Sequence, residues 1–317
     1  MSGTTYKGPI NPNPKDDEAS IIIYSYVPAL ALGIIGVVTF AIVVSFQASY
    51  IATRRGTRWF HSLLLVGALM EIGGYAARMA SHKRPFVVGS FVAQYFLIVV
   101  APVLFSAAIY LSLSLATKGY KGSERLLLIS PKKVLIFFVT ADVVTTIIQV
   151  VGAALIGTSE SAKVRGNPSS VTPEQANDIL LAGLAIQCFS FTIFLSILIL
   201  AIYRSYSPNY LSLSQPTLVK QFRLFLYLIL TTSLLILLRT TFRLAETGQG
   251  FFGFASTHEA LFGCLEYLPV ILALFVWSLL PPSRFLRRLE DVDRERLDSN
   301  ADGHSGFQTS QVRRDQV

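Results

Sequence analysis

Arg239, Arg243 and Glu246 stand at i, i+4 and i+7, a spacing that puts two cations and an acid on one face of a helix. They close an apolar run. No charged residue occurs from Leu224 to Leu238, so a helix that begins near Phe222 is deep in hydrocarbon when it reaches Arg239. An arginine at the centre of a membrane helix costs about 2.5–3.5 kcal/mol on insertion scales, and such residues face a protein interior or a wet cavity and pair there. Related spacings recur in other apolar segments, as Glu71, Tyr75 and Arg78, as Asp142, Thr146 and Gln149, and as Glu259, Gly263 and Glu266. Gln94 and Gln187 add amides to two more. These residue types support two kinds of chemistry: ion pairs and amide bonds that fix helix register, or a polar cavity that takes a charged headgroup. The spacing predicts that the faces converge. The candidate binding residues are then Glu71, Tyr75, Arg78, Gln94, Asp142, Gln149, Gln187, Arg239, Arg243, Glu246, Glu259 and Glu266.

Seven apolar helices are needed to carry them. The chain has 317 residues, 52% hydrophobic and 15% charged, too apolar for a soluble domain. It is read as an all-α membrane protein, because each long uncharged run supplies the roughly 20 residues that a span requires. The spans are placed at about Tyr26 to Tyr50, from the Trp59-Phe60-His61 interface to Ala80, Val88 to Leu115, Val134 to Ile156, Ile179 to Tyr203, Phe222 to Glu246 and Leu261 to Leu280. Pro28 falls in the first turn of span one, where its missing N–H is harmless. Pro102 should kink span three, and Pro281-Pro282 should stop span seven. The loop from Gly157 to Asp178 is expected to be the longest. Cys188 and Cys264 are expected to be small buried hydrophobes.

Orientation follows from Lys and Arg. The loops after spans one, three and five and the C-terminal tail hold three, five, three and seven, or 18, whereas the N-terminus and the other loops hold two, two, two and none, or 6. That bias predicts the N-terminus outside and the C-terminus in the cytosol. The division is then an extracellular tail over residues 1–25, the seven-helix domain over 26–281 and a cytosolic segment over 282–317. The N-terminal segment is polar and Pro-rich, unlike a cleavable signal peptide. The tail from Arg284 begins as a basic amphipathic stretch suited to anionic lipid and turns polar and disordered from Asp298. By helix rise, most of the intramembrane polar residues fall in the outer half, with Asp142 toward the cytosol.

Absences narrow the function. The last span has no lysine for a retinal Schiff base, His61, His82, His258 and His304 are too scattered for a zinc centre, and no phosphate-binding loop follows a strand. No cofactor, nucleic-acid role or enzymatic activity is expected. The net charge of +8 sits in short loops, where topology accounts for it.

Taken in order, Glu71-Ile72-Gly73-Gly74-Tyr75-Ala76-Ala77-Arg78, Gln94 with Pro102 and Ala107-Ala108-Ile109-Tyr110, Asp142 with Gln149 and Gly152, Gly183 with Gln187, Arg239 to Glu246, and Glu259 with Glu266 resemble the RTA-like family of fungal seven-span proteins, the lipid-translocating exporters. The resemblance covers roughly Tyr24 to Pro281. Where the family pattern suggests a tyrosine between the last two acids, this chain has Phe262-Gly263-Cys264. The resemblance implies a multi-pass protein of the plasma membrane or an endomembrane, linked to translocation of sphingoid bases and similar amphiphiles and to resistance against toxic lipid-like compounds. A sphingoid ammonium would pair with an intramembrane acid while its tail stays in lipid. The alternative is a seven-span receptor or lipid-stress sensor. Against one receptor class stand Leu115-Ala116-Thr117-Lys118 after span three, in place of Asp-Arg-Tyr, and Tyr267-Leu268-Pro269 in span seven, in place of Asn-Pro.

Overall fold

A computed structural model describes residues 26–120, 130–164, 171–207, 216–250 and 253–286, with isolated positions 11–13, 15, 18, 123, 126, 127, 129 and 211. Seven helices are long and apolar enough to cross a membrane: α1 (Leu30–Thr53), α2 (Arg58–Lys83), α3 (Val88–Gly119), α4 (Pro131–Val164), α5 (Pro173–Arg204), α6 (Pro216–Gly248) and α7. The last is composite, α-helical over Glu259–Leu261, π-helical over Phe262–Tyr267 and α-helical again over Leu268–Leu279. The protein is a multi-pass, all-helical membrane protein.

Each helix shows why it sits where it does. α1 buries Gly33, Gly36, Phe40, Val43 and Gln47, a stripe of helical period, and turns Ile34, Ile35, Val38 and Ile42 outward, where acyl chains rather than water cover them. Close approach is bought by small residues. A Cβ on Gly152 of α4 would stand 2.7 Å from the backbone nitrogen of Leu180 in α5, and one on Gly36 would stand 2.5 Å from the Tyr75 ring of α2. α3 is the axle: 67% of its apolar window is buried, against α2, α4 and α6. α7 closes the ring by packing between α6 and α1.

Most boundaries lie further out than the sequence expectation, and the start of α1 lies further in. α1 starts at Leu30, so Pro28 precedes the helix instead of sitting in its first turn. α4 runs to Val164, and α5 starts at Pro173 under a capping box in which Thr172 and Gln175 bond each other's backbone. The long loop is therefore helical at both ends. α6 likewise begins at Pro216. Helices of 24 to 34 residues span about 36 to 51 Å against roughly 30 Å of hydrocarbon, and polar turns that hydropathy assigns to loops continue them.

His61 is fully buried, and Cys264 is exposed on the π segment. Phe285, in the expected lipid-facing stretch, stacks on Phe225 at 5.0 Å. Residues 287–317, and nearly all of 1–25, lie outside the described residues.

Candidate functional site

The charges on α6 meet those on α7. Arg239 Nη2 lies 2.5 Å from Glu266 Oε1, and Arg243 is 2.9 Å from the other oxygen of the same carboxylate, at ion-pair distance without the alignment of a hydrogen bond. Arg243 also holds Glu246, 3.1 Å away on its own helix. One guanidinium thus stands between two carboxylates. Arg239 has a second acceptor, since its Nη2 donates to the Ile98 carbonyl at 2.7 Å. That carbonyl is available because of Pro102. Four residues on in α3, it has no N–H to return to Ile98, and the arginine of α6 takes the vacant bond.

Glu266 reaches α6 because α7 is not a regular helix there. The Leu268 N–H bonds to the Gly263 carbonyl, five residues back, and Pro269 follows at the start of the next α-helical stretch. The wider turn rotates Glu266 off the face that Glu259 occupies, so the two acids do not share one face as their spacing in an α-helix predicts. π-helical turns of this kind concentrate at functional sites.

Glu259 turns to α2 and α1. It receives the Arg78 Nη2 at 2.6 Å and the Ala29 N–H at 2.9 and 3.0 Å, so it neutralises one helix and caps the N-terminus of another. Arg78 also donates to the Tyr26 hydroxyl at 2.9 Å. Phe262 lies under Arg78, 4.4 Å from its ring centre, and 6.0 Å from Arg243, with Tyr95 on Arg243 at 5.6 Å. Aromatic faces of this kind stabilise cations out of water. Between the two arginines opens a cavity of about 100 Å³, lined by Arg78, Gln94, Arg243 and Glu246 of the expected residues, and by Tyr26, Tyr95, Asn177 and Phe262 among those the charge pattern did not mark. It lies at the end of the bundle where α1 begins.

The remaining expected residues divide. Glu71 is buried behind the cavity, in the field of Arg239, Glu266 and Arg243, with Oε1 unbonded. It is not the partner of Arg78. Tyr75 is a packing ring, stacked on Phe40 at 5.6 Å and edge-on to Tyr267 at 5.7 Å. Gln149 donates to Gln187 at 2.7 Å and ties α4 to α5. Asp142 sits away from the cavity, accepting from Ser106 and Tyr110 of α3 at 2.7 and 2.9 Å. The faces converge from α2, α6 and α7, while that of α4 serves its neighbours α3 and α5.

A second polar cluster went unmarked. At the far end of the bundle Gln47 of α1 bonds His61 of α2 at 2.7 Å and Ser278 of α7 at 3.1 Å. Tyr50 reaches the Ser278 carbonyl at 2.8 Å. The signal available was Gln47 alone among apolar residues, in register with Phe40 and Val43.

Comparison with known proteins then decides the family. The profile described as RTA1 like protein matches residues 64–288, which hold most of α2, all of α3 to α7 and every ion pair of the site. The chain belongs to the RTA1-like family. Among its relatives, the Saccharomyces cerevisiae protein RTM1 is 32% identical over 68% of this chain. The yeast sphingoid long-chain base transporter RSB1 is 27% identical over 81% of this chain and 72% of its own length, and protoporphyrin uptake protein 1 is 27% identical over 72% and 70%. The match spans 64% of the length of RTM1. No solved structure matches this RTA1-like chain.

Proposed function

We propose that this protein moves cationic, lipid-like amphiphiles such as sphingoid bases across the membrane, with Glu246 as the acid that takes the ammonium headgroup. The observation that carries this reading is the position of Arg243 between two carboxylates. When an ammonium displaces Arg243 from Glu246, the guanidinium keeps Glu266, so no buried charge is stranded during the exchange. Glu246 is also the accessible member of the pair set, lining the cavity with its side chain 17% exposed while that of Glu266 is fully buried. A volume of about 100 Å³ holds the equivalent of about three waters, enough for a headgroup and too small for a long chain, which stays in lipid. A relative named as a sphingoid long-chain base transporter is consistent with that class.

The test is reconstitution of the full chain in liposomes with a fluorescent sphingoid base. Flipping should proceed without other components, which separates a translocator from a receptor or stress sensor. Glu246→Gln should slow flipping of the base at least tenfold at normal abundance and leave a neutral analogue of equal chain length untouched. Equal losses for both analogues would remove the ammonium-pairing role.

We further propose that the cavity opens outside the cell or on the lumenal side. The Lys and Arg bias of 18 to 6 supports this orientation. Protease added to intact cells should cleave a tag placed before Met1 and spare one placed after Val317, and the converse pattern would reverse the direction assigned to the cavity.

A further inference from the structure

Asp142 is the acid that the charged site does not use. It is buried in α4, and among the described residues no cationic side chain pairs with it. Its two oxygens are unequal. Oδ2 accepts from both Ser106 and Tyr110, whereas Oδ1 is buried without a partner. Two hydroxyl donors hold the carboxylate, while an ionisable group without a counter-charge inside a helix bundle is costly and marks a functional candidate. Oδ1 is therefore free to gain or lose a proton with both bonds to α3 intact.

The surroundings of Asp142 supply hydroxyls and aromatic rings. α3 and α5 are the helices packed against α4. From α3 the titratable group at Asp142 is Tyr110. From α5 come Phe191 and Phe194, whose rings stand 6.0 and 4.6 Å from that of Tyr110, with Phe138 of α4 at 5.6 Å. The other titratable groups described on these helices lie elsewhere: Cys188 is half-buried on α5, Tyr95 lies at the cavity, Tyr203 is exposed, Lys118, Lys132, Lys133, Glu174 and Arg204 sit in the end turns of their helices, and Asp178 is in the second turn of α5. Aromatic rings supply no ligand for a metal ion. A polar stripe leads from Asp142 toward the charged site. Thr146 and Gln149 follow at i+4 and i+7 on the same face of α4. The Thr146 hydroxyl is itself buried without a partner, and Gln149 is bonded to Gln187 of α5, two turns from Leu180 in the cavity wall.

We propose that Asp142 is a proton-binding site, linked by the Thr146–Gln149 stripe to the cavity, and that proton uptake at Oδ1 is coupled to translocation. The site itself stands on geometry alone; its coupling role rests on the transport reading given above. The step is a bare protonation, in which H⁺ from water adds to Oδ1 of the carboxylate and later leaves to water.

Two measurements separate these parts. Infrared difference spectra of the full chain in lipid, taken between alkaline and acidic buffer, should show a carboxylic-acid C=O band that disappears in Asp142→Asn and persists in Glu71→Gln. A band that survives in Asp142→Asn overturns the proton site. In liposomes, an imposed pH gradient should change sphingoid-base flipping severalfold for the wild type. Asp142→Asn should flip at the gradient-free rate whatever the gradient. Wild-type flipping that ignores the gradient overturns the coupling while leaving the transport reading in place. No wild-type flipping at all overturns both transport and coupling, and the infrared band then decides the proton site by itself.

Discussion

At the end of the bundle where α1 begins, the interior polar groups are ions. Arg239, Arg243, Glu246 and Glu266 form a connected set, Glu71 lies in its field, and Arg78 pairs with Glu259 beside it. At the opposite end Gln47, His61, Ser278 and Tyr50 tie α1, α2 and α7 together with no carboxylate or guanidinium among them. Both clusters satisfy buried groups, but in different ways. The amide chain is single file, each member bonded to the next, so that removing one strands its neighbour. The ionic set is redundant at Arg243, which has two acids, and therefore tolerates exchange of one partner. A cluster built for exchange belongs at a cavity, and one built in single file belongs in a closed seam. The cavity is indeed beside the ions, and α1, α2 and α7 close over the amides.

The sharpest way to break this contrast is to strand a charge. Arg239→Glu would put a third acid against Glu266 and should remove the folded protein, since breaking a buried pair costs about 3–5 kcal/mol. The double variant Arg239→Glu/Glu266→Arg should recover abundance and part of the unfolding temperature in detergent. Arg239→Glu/Glu71→Arg should recover neither. Rescue by the second and not the first would move the partner of Arg239 to α2.

The far end should respond less and differently. Gln47→Leu leaves the His61 Nδ1 without its bond while the Ser278 hydroxyl keeps the Leu274 carbonyl, a loss of about 1–3 kcal/mol for a buried polar group stripped of its partner. Unfolding temperature should fall, and flipping per folded molecule should not change. A flipping defect at full abundance would show that this end takes part in transport.

Pro102→Ala probes the junction between α3 and the ions. The new N–H competes with Arg239 for the Ile98 carbonyl, exchanging one hydrogen bond for another. Stability should shift by no more than about 1 kcal/mol. Flipping should change more than stability does, because Arg239 is then held by Glu266 alone. Unchanged flipping would reduce Pro102 to a packing residue.

Much of this architecture was legible in the sequence, and the exceptions share a cause. Run lengths gave seven spans, and the charges on apolar segments marked both Arg239 and Glu266, which the structure pairs. Arg243 and Glu246, a turn apart, could hardly miss each other. Geometry that depends on a second helix was hidden. Arg78 has an acid two turns away on its own helix yet pairs with Glu259 across the bundle, and Glu266 reaches α6 through a π-helical turn that no spacing announces. The bond freed by Pro102 reads as a kink until a donor is found for it. His61, set next to Trp59 at the start of α2, finds its partner in Gln47 of another helix. Where a residue lies along the membrane normal is set by its own segment; what it touches is set by the rotation of its neighbours.

The smallest expected effect tests whether the α4–α5 amide pair belongs with the exchanging set or with the seam. Gln149 and Gln187 bond at 2.7 Å between helices, and Gly152 already lets α4 and α5 approach until a Cβ would meet the Leu180 backbone. The helices are thus held by shape as well as by the amides. Interhelical hydrogen bonds inside membranes average only about 0.6 kcal/mol in double-mutant cycles, and the pair should be worth no more than that. Gln149→Leu and Gln187→Leu should each lower stability slightly, because either change strands the remaining amide. The double variant should be less destabilised than the two singles added together, since no stranded amide is left. Measured as unfolding in detergent, a coupling near that small value places the pair in the seam. A coupling of several kcal/mol would instead mean that the amides hold α4 to α5 where shape does not, and a stable double variant whose flipping still responded to an imposed pH gradient would remove Gln149 from the stripe that links Asp142 to the cavity.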